Sequence, residues 1–244
     1  MSDWDARTYD RIADPMFEWG TAVLQRLRLH GDETVLDAGC GTGRVTELLC
    51  DLVPDGHVVA LDASAAMIDE ARSRLQRFGA RVSFHVADLA APLPVGNLDA
   101  VLSTATLHWI HDHDAVFSNL GAAMRPGAHL EAQCGGVGNV ENVKRAAIAA
   151  GAAWTDDVYF PTVRDTQHRL KRAGFVRIEC WPQEQPTRLE PGSPLRTYLR
   201  TIVLRNVIEP MPEEEREPFL ARVEHEMGEP VIDYVRLNIS ATRR

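Results

Sequence analysis

The stretch that decides the fold is VLDAGCGTG, residues 35 to 43, in which an apolar run leads directly into three glycines. A segment with apolar residues at helical spacing follows over Arg44 to Val53. Because glycine has no Cβ, the backbone can turn tightly there and a ligand can approach closely. The stretch therefore predicts a strand, a ligand-binding turn and a helix in succession.

Downstream of this turn, short β-rich runs alternate with segments of helical spacing, which is typical of a parallel sheet covered by helices on both faces. Ser64 is a candidate N-cap for the helix after the second strand, and Asp112 or Asp114 for the helix after the fourth. The predicted fold is α/β with a Rossmann-like, doubly wound sheet. The candidate strands are Thr34–Ala38, His57–Asp62, Val82–Ala87, Leu98–Ser103, Ala128–Gln133, Phe175–Trp181 and Tyr234–Ala241.

Composition and charge restrict the partners that we expect. The 244 residues are 45% hydrophobic and 25% charged, which suits one folded domain with a continuous core. The formal net charge of -9 disfavours nucleic acid as the main partner, because phosphate binding needs a basic face. The four scattered cysteines form no CxxC pair, and no apolar run has the length of a membrane span. We therefore expect a cytoplasmic protein without a membrane partner. A monomer and a homodimer are both open.

A carboxylate at the end of the second strand narrows the choice of ligand. Asp62 lies about twenty residues beyond the turn, where it can accept hydrogen bonds from both hydroxyls of a ribose. Dinucleotide-binding turns usually have the sequence GxGxxG, but Arg44 occupies the third glycine position here. Asp37 beside the turn would repel a pyrophosphate and would suit the ammonium group of an amino acid. The charges therefore favour S-adenosylmethionine over NAD.

With these residues the chain resembles the class I S-adenosylmethionine-dependent methyltransferases. Ala87-Asp88-Leu89 is similar to the motif whose acidic side chain receives the adenine amino group. The segment 98–103, followed by Leu107-His108-Trp109, is similar to the fourth-strand motif beside the methyl group, and Arg125-Pro126-Gly127-Ala128 to the turn into the fifth strand. The resemblance implies a seven-stranded sheet, mostly parallel with an antiparallel last strand, and S-adenosyl-L-homocysteine as the product.

The cofactor-binding residues follow from the turn, from Asp62 and from this resemblance. They are Asp37, Gly39, Gly41, Gly43, Asp62, Ala63, Met67, Ala87, Asp88, Leu89 and Thr104. We expect one domain over residues 1–244, with an N-terminal arm and helix at 1–30 and a cofactor-binding core at 31–181. Frequent prolines then mark a helical cap at 182–232, and the last strand occupies 233–244.

Within the class, Leu107-His108-Trp109-Ile110, the segment from Pro212 to Arg222 and the last strand resemble the trans-aconitate methyltransferase group. Those enzymes esterify a carboxylate of a small polycarboxylic acid. The resemblance implies a small-molecule acceptor and an N-terminal arm that closes over the cofactor, with Tyr9 near the methyl donor. A surface arm held by two aromatic anchors is the alternative for this segment. Methylation of a natural-product hydroxyl or carbon, a non-catalytic binding protein and an NAD-dependent oxidoreductase are the alternatives.

The candidate catalytic residues are His108 and Tyr9, and the candidate acceptor-binding residues are Tyr9, Arg11, His108, Trp109 and Trp154. A carboxylate acceptor is ionised at neutral pH and needs no base, whereas a phenol or alcohol would use one, for which His108 is the nearest candidate.

Two interpretations compete for several of these residues. His108 can equally be a structural histidine, and Trp154, Tyr159 and Trp181 can be core residues. Arg11, Arg200 and Arg205 could clamp a carboxylate, although surface solvation explains any single arginine as well. His108, His111 and His113 could suggest a metal site, but their spacing at a strand-to-helix junction does not suit one, and we expect no metal.

Overall fold

The computed structural model describes residues 14–154 and 157–244 of the chain. The predicted arm residues Tyr9 and Arg11 therefore lie outside the described residues. The strands are β1 (Thr34–Ala38), β2 (His57–Asp62), β3 (Val82–Val86), β4 (Leu98–Thr104), β5 (Met124–Gly135), β6 (Phe175–Arg188) and β7 (Val231–Arg243). The α-helices are α1 (Asp14–Leu24), α2 (Arg44–Leu52), α3 (Ala65–Arg74), α4 (His113–Ala123), α5 (Glu141–Ala149), α6 (Val163–Arg172), α7 (Ser193–Tyr198), α8 (Arg205–Ile208) and α9 (Glu213–Met227).

The described residues form one seven-stranded sheet with the order β3-β2-β1-β4-β5-β7-β6. Strands β1 to β5 pair in parallel, and β7 runs antiparallel to both β5 and β6. The predicted doubly wound sheet with an antiparallel last strand is confirmed. The strand order reverses beside β1, and ligands of such sheets bind in the crevice at the carboxyl ends of the strands on either side of that point.

Successive residues of the central strands belong to two different cores, one on each face of the sheet. Leu36 and Val101 pack in one core with Phe117 of α4, whereas Val35 and Leu102 pack in the other. This alternation follows from the two-residue period of a strand, and both faces are apolar because helices cover both. The continuous apolar runs that the sequence shows are thereby explained.

The helices between β6 and β7 form a cap with a core of its own. Leu195 and Phe219 of these helices, and Leu204 just before α8, pack in one cluster with Tyr234 of β7 and Trp19 of α1. This core ties the cap to the carboxyl end of the sheet, where it can cover a bound ligand. No helix in the described residues combines the length and the apolarity that a membrane-spanning segment needs.

The predicted end of β6 at Trp181 was wrong, and so was the start of the cap at residue 182. Strand β6 continues to Arg188, and Pro182 and Pro186 pair with residues of β7 along the way. Proline is tolerated there because β6 is the edge strand, so that its outer side needs no backbone N–H donors. The cap helices themselves begin at Ser193.

Candidate active site

The three glycines of the turn adopt left-handed backbone conformations for different reasons. Gly39 has a φ of +85°, and a Cβ on it would lie only 2.1 Å from Thr106 Oγ1. Gly43 has a φ of +82° and abuts Ala71 of α3, where a Cβ would lie 3.2 Å from the alanine methyl group. Around Gly41, with a φ of +54°, a Cβ would meet no atom within 4 Å. Gly39 and Gly43 thus allow close packing, and Gly41 leaves open space for a ligand.

Asp62 joins the turn to the start of α3. Its Oδ2 accepts a hydrogen bond from Gly41 N at 2.9 Å, and its Oδ1 accepts one from Ser64 N at 2.9 Å. Ser64 in turn caps α3, as predicted, through its Oγ and Met67 N at 3.1 Å. Asp62 also lines the cavity, where a carboxylate suits the hydroxyls of a ribose.

Asp37 lies beneath the turn, outside the cavity lining. It is 1% exposed, and its Oδ2 accepts a hydrogen bond from Thr46 Oγ1 at 2.7 Å. The pKa of Asp37 is raised to about 7, mainly by burial and further by the negative charge of Asp62, while the Thr46 hydrogen bond acts in the opposite direction. Its contact with an ammonium group stays a prediction, and in this geometry its charge acts from below the turn.

A cavity of about 890 Å³ opens where the strand order reverses. It has the size of a small-molecule binding site. Of the predicted site residues, those that line it are Gly39, Gly41, Asp62, Ala63, Met67, Ala87, Asp88, Leu89, Thr104, His108, Trp109 and Trp154. Asp37 and Gly43 are absent from the lining because both face the protein interior. The open space at Gly41 and the carboxylate of Asp62 suit a nucleoside with a cationic amino-acid part, so the residues present fit S-adenosylmethionine.

His108 lies on a short 3-10 helix, Leu107–Trp109, directly after β4. Its Nδ1 accepts a hydrogen bond from Gly135 N at 3.4 Å. Burial lowers the pKa of His108 well below its usual value, and the positive charge of Arg236 lowers it further. The ring is therefore neutral at neutral pH and carries its proton on Nε2, where it acts as a hydrogen-bond donor.

Of the neighbouring residues, His111 lines the cavity, whereas His113 and Asp112 have structural contacts. His113 is 1% exposed, and its Nε2 bonds with the carbonyl of Leu107 at 2.9 Å. Asp112 caps α4, as predicted, by accepting a hydrogen bond from Ala115 N at 2.9 Å. Among residues 14–154 and 157–244, no group of three or more histidine, cysteine, aspartate or glutamate side chains is placed to hold a metal ion.

The candidate arginines fall in different places. Arg205 lines the cavity, whereas Arg200 pairs with Glu213 at 2.7 Å and is not part of the lining.

The candidate aromatic residues Tyr159 and Trp181 are not part of the cavity lining. Arg169 donates a hydrogen bond to the Tyr159 hydroxyl at 2.8 Å, and the guanidinium of Arg26 lies 5.1 Å from the centre of the Trp181 ring.

Sequence reasoning missed Arg236 and Asn139, which both line the cavity although they are nearly inaccessible to solvent. Arg236 is on β7, 5.0 Å from the centre of the Trp19 ring, and its Nε donates a hydrogen bond to Gln133 Oε1 at 3.4 Å. In the alternating sequence of this strand, Arg236 shares its side with Asn238 and Ser240, and such a polar side usually faces solvent. A charged residue among buried strand positions was the signal that could have identified it.

Comparison with known proteins adds independent information. A family model described as "Methyltransferase domain" matches residues 35–127. The chain is 30% identical to a trans-aconitate 2-methyltransferase of Methylobacterium nodulans, over 94% of this chain and 90% of that protein. It is 28% identical to the protein of the same name from Methylobacterium radiotolerans, over 90% and 87% of the two chains.

Among solved structures, a phosphoethanolamine N-methyltransferase of Haemonchus contortus has the same fold. It superposes with a TM-score of 0.67 at 19% identity, over 98% of this chain and 56% of that one. That protein was solved with S-adenosylhomocysteine and phosphomonomethylethanolamine.

Proposed function

This chain belongs to the class I S-adenosylmethionine-dependent methyltransferases, and we propose that it transfers the methyl group to a carboxylate oxygen of a small organic acid. The relatives named trans-aconitate 2-methyltransferase support this acceptor class, because the similarity extends over about nine-tenths of both chains. An acid of the trans-aconitate type is accordingly the first acceptor to test.

The observation that carries the proposal is the positive charge at the cavity wall. Arg236 is 2% exposed and lines the cavity together with His108 and Arg205. A buried guanidinium at a binding site favours an anionic ligand, and a carboxylate can accept hydrogen bonds from it. The cofactor, by contrast, would place its ribose hydroxyls against the carboxylate of Asp62, which lines another part of the same cavity.

The chemistry of a carboxylate acceptor also agrees with the state of His108. When bound, S-adenosylmethionine supplies a methyl group whose transfer to a carboxylate oxygen gives a methyl ester and S-adenosylhomocysteine, the electron pair of the broken C–S bond staying on sulfur. No proton has to be removed, so no general base is needed. The protein's residues need only align the two reactants and exclude water.

A hydroxyl acceptor would need a general base, and His108 would have to remove its proton. A base with a pKa well below its usual value and a proton already on Nε2 is poorly suited to remove a hydroxyl proton. Substituting His108 with glutamine therefore distinguishes the two acceptor classes, because glutamine can donate a hydrogen bond but cannot act as a base. We expect methylation of a carboxylate to survive this substitution within a few fold.

The direct test is incubation of the protein with isotopically labelled S-adenosylmethionine and a panel of small acids, phenols and amines, followed by mass spectrometry. We expect a labelled methyl ester from trans-aconitate or a related acid. Labelled phenol ethers or methylamines without any ester would contradict the proposal.

A further inference from the structure

Three side chains that line the cavity meet at Gly135, the last residue of β5. Gly135 N donates to Nδ1 of His108. A Cβ on Gly135 would lie 2.9 Å from Nδ2 of Asn139 and 2.7 Å from the ring of Phe160. The imidazole and the amide are therefore neighbours across a backbone that carries no side chain.

The orientation of the Asn139 amide is fixed by a backbone donor. Its Oδ1 accepts a hydrogen bond from Val235 N at 3.0 Å, so the other end of the amide is the Nδ2 group. Asn139 is only 5% exposed, and within residues 14–154 and 157–244 no acceptor is bonded to Nδ2. The group therefore presents N–H donors beside the cavity wall.

The backbone next to Asn139 is held under strain. Val140 has a φ of +52°, which is rare for a β-branched residue, and its N–H donates to the carbonyl of Asp233 at 3.2 Å. Strained backbone persists where the surrounding structure over-determines it, and such residues cluster at binding sites. Asn139 is thus clamped between β7 and the start of α5.

His108 and Asn139 both present a hydrogen-bond donor. His108 presents Nε2–H because its Nδ1 is occupied by Gly135 N–H, and Asn139 presents Nδ2–H because its Oδ1 is occupied by Val235 N–H. Arg236, whose charge acts on His108, lines the same cavity and can only donate. A carboxylate, which can only accept, is the complementary ligand.

We propose that His108 Nε2–H and Asn139 Nδ2–H together form the site that binds a carboxylate of the acceptor and that selects acids over neutral or cationic molecules. The inference rests on the proposed function for the identity of the acceptor. In addition to Asp62 and Asp88, Asp112 and Asp157 line the cavity, and these negative charges would repel an acid that binds away from the donor pair.

The decisive experiment is calorimetric binding of trans-aconitate to the protein saturated with S-adenosylhomocysteine. The substitution Asn139→Asp keeps the shape of the side chain and the acceptor for Val235 N, but replaces the donor by a negative charge. We expect it to weaken trans-aconitate binding about 100-fold, since a charge-assisted hydrogen bond is lost and a repulsion is added. The affinity for S-adenosylhomocysteine should stay unchanged.

Matched variants test whether weaker binding comes from loss of the donor pair or from a change of charge elsewhere on the protein. Gln167→Glu adds the same charge on an exposed position of α6 and should leave both affinities unchanged. His108→Gln keeps a donor and should bind trans-aconitate within a few fold of the natural chain, whereas His108→Leu should lose about tenfold. Unchanged binding in both Asn139→Asp and His108→Leu would overturn the inference.

A second measurement on the unmodified chain does not depend on any variant folding. In ¹⁵N spectra of the histidine-labelled protein, Nε2 of His108 should be the protonated nitrogen, and its proton signal should shift when trans-aconitate is added. A proton on Nδ1, or no shift at saturating acid, would also overturn the inference. If the unmodified protein esterifies trans-aconitate while these results fail, only the inference is lost. If it neither binds nor methylates any acid in the panel, the proposed function is lost as well.

Discussion

The two ends of the cavity are built in different ways. At the proposed cofactor end, a single turn from residue 39 to 43 lies beside Asp62, and the glycine backbone of this turn shapes the open space. At the acceptor end, His108, Asn139 and Arg236 come from three separate parts of the chain and contribute side chains. The cofactor end is therefore sensitive to backbone shape, and the acceptor end to the identity of side chains.

The largest expected effect concerns the buried acid of the cofactor end. The folded protein raises the pKa of Asp37 from about 3.8 to about 7. Between these two values the folded state keeps a proton that the unfolded state has lost, so the free energy of unfolding falls as the pH rises. The fall is about 4 kcal/mol over the whole range, at about 1.4 kcal/mol for each pH unit.

Urea unfolding of the natural chain and of Asp37→Asn from pH 4 to pH 8, without cofactor, measures this effect. The difference in unfolding free energy between the two proteins should change in favour of the variant as the pH rises. A difference that is constant over this range would show that Asp37 titrates normally.

The next prediction concerns two glycines of the turn and tests whether the cofactor end depends on backbone shape. Gly39→Ala places a methyl group against Thr106 and forces alanine into a left-handed conformation, so we expect a loss of about 3 kcal/mol in unfolding free energy. Gly41→Ala is the matched variant, because the added methyl group meets no protein atom. It should lose only about 1 kcal/mol.

Although Gly41→Ala should lose little stability, we expect it to bind the cofactor less well. The methyl group of Gly41→Ala would stand in the open space of the cavity, and we expect weaker binding of S-adenosylhomocysteine by calorimetry. Equal stability losses in the two variants, or undiminished cofactor binding by Gly41→Ala, would contradict the division of roles among these glycines.

Asp62→Asn should lower the affinity for S-adenosylmethionine about 100-fold, because it removes the charge and one acceptor from the ribose site. Asp69→Asn removes the same charge from an exposed position of α3 and is the control. Calorimetric titration of both variants measures the effect. An Asp62→Asn variant that binds as tightly as the control would remove Asp62 from the cofactor site.

The smallest expected effect is at the acceptor end. Arg236→Gln should raise the KM for trans-aconitate about 30-fold while S-adenosylhomocysteine binding stays unchanged, because only the anionic ligand loses a charged partner. The same variant should bring the pKa of His108 closer to its usual value, since the repelling charge is removed. Steady-state kinetics and histidine NMR titration measure the two effects.

Arg164→Gln, which removes a charge from an exposed position of α6, serves as the control. If it raised KM as much as Arg236→Gln, the effect would reflect net charge and not the cavity. An unchanged KM in Arg236→Gln would mean that the acceptor does not contact this guanidinium.

The cofactor end could be predicted because its signals are local. A strand, a glycine turn, a capped helix and an acid at the end of the next strand are adjacent in sequence, and each has its own physical cause. The acceptor end could be predicted only in part. His108 was identified as a cavity residue, but its protonation state depends on Gly135 and Arg236, which are distant in sequence.

The sequence by itself determined the doubly wound sheet, the glycine turn after β1 and the choice of S-adenosylmethionine over NAD, because local patterns of backbone shape and charge suffice for these. Only the tertiary structure decided that β6 continues through Pro182 and Pro186, since the edge position of a strand is a property of the whole sheet. It also decided that Asn139 and Arg236 reach the cavity, because a hydrogen bond from Val235 of β7 orients Asn139 and one to Gln133 of β5 orients Arg236. Such partners lie about a hundred residues away along the chain, where no local pattern could indicate them.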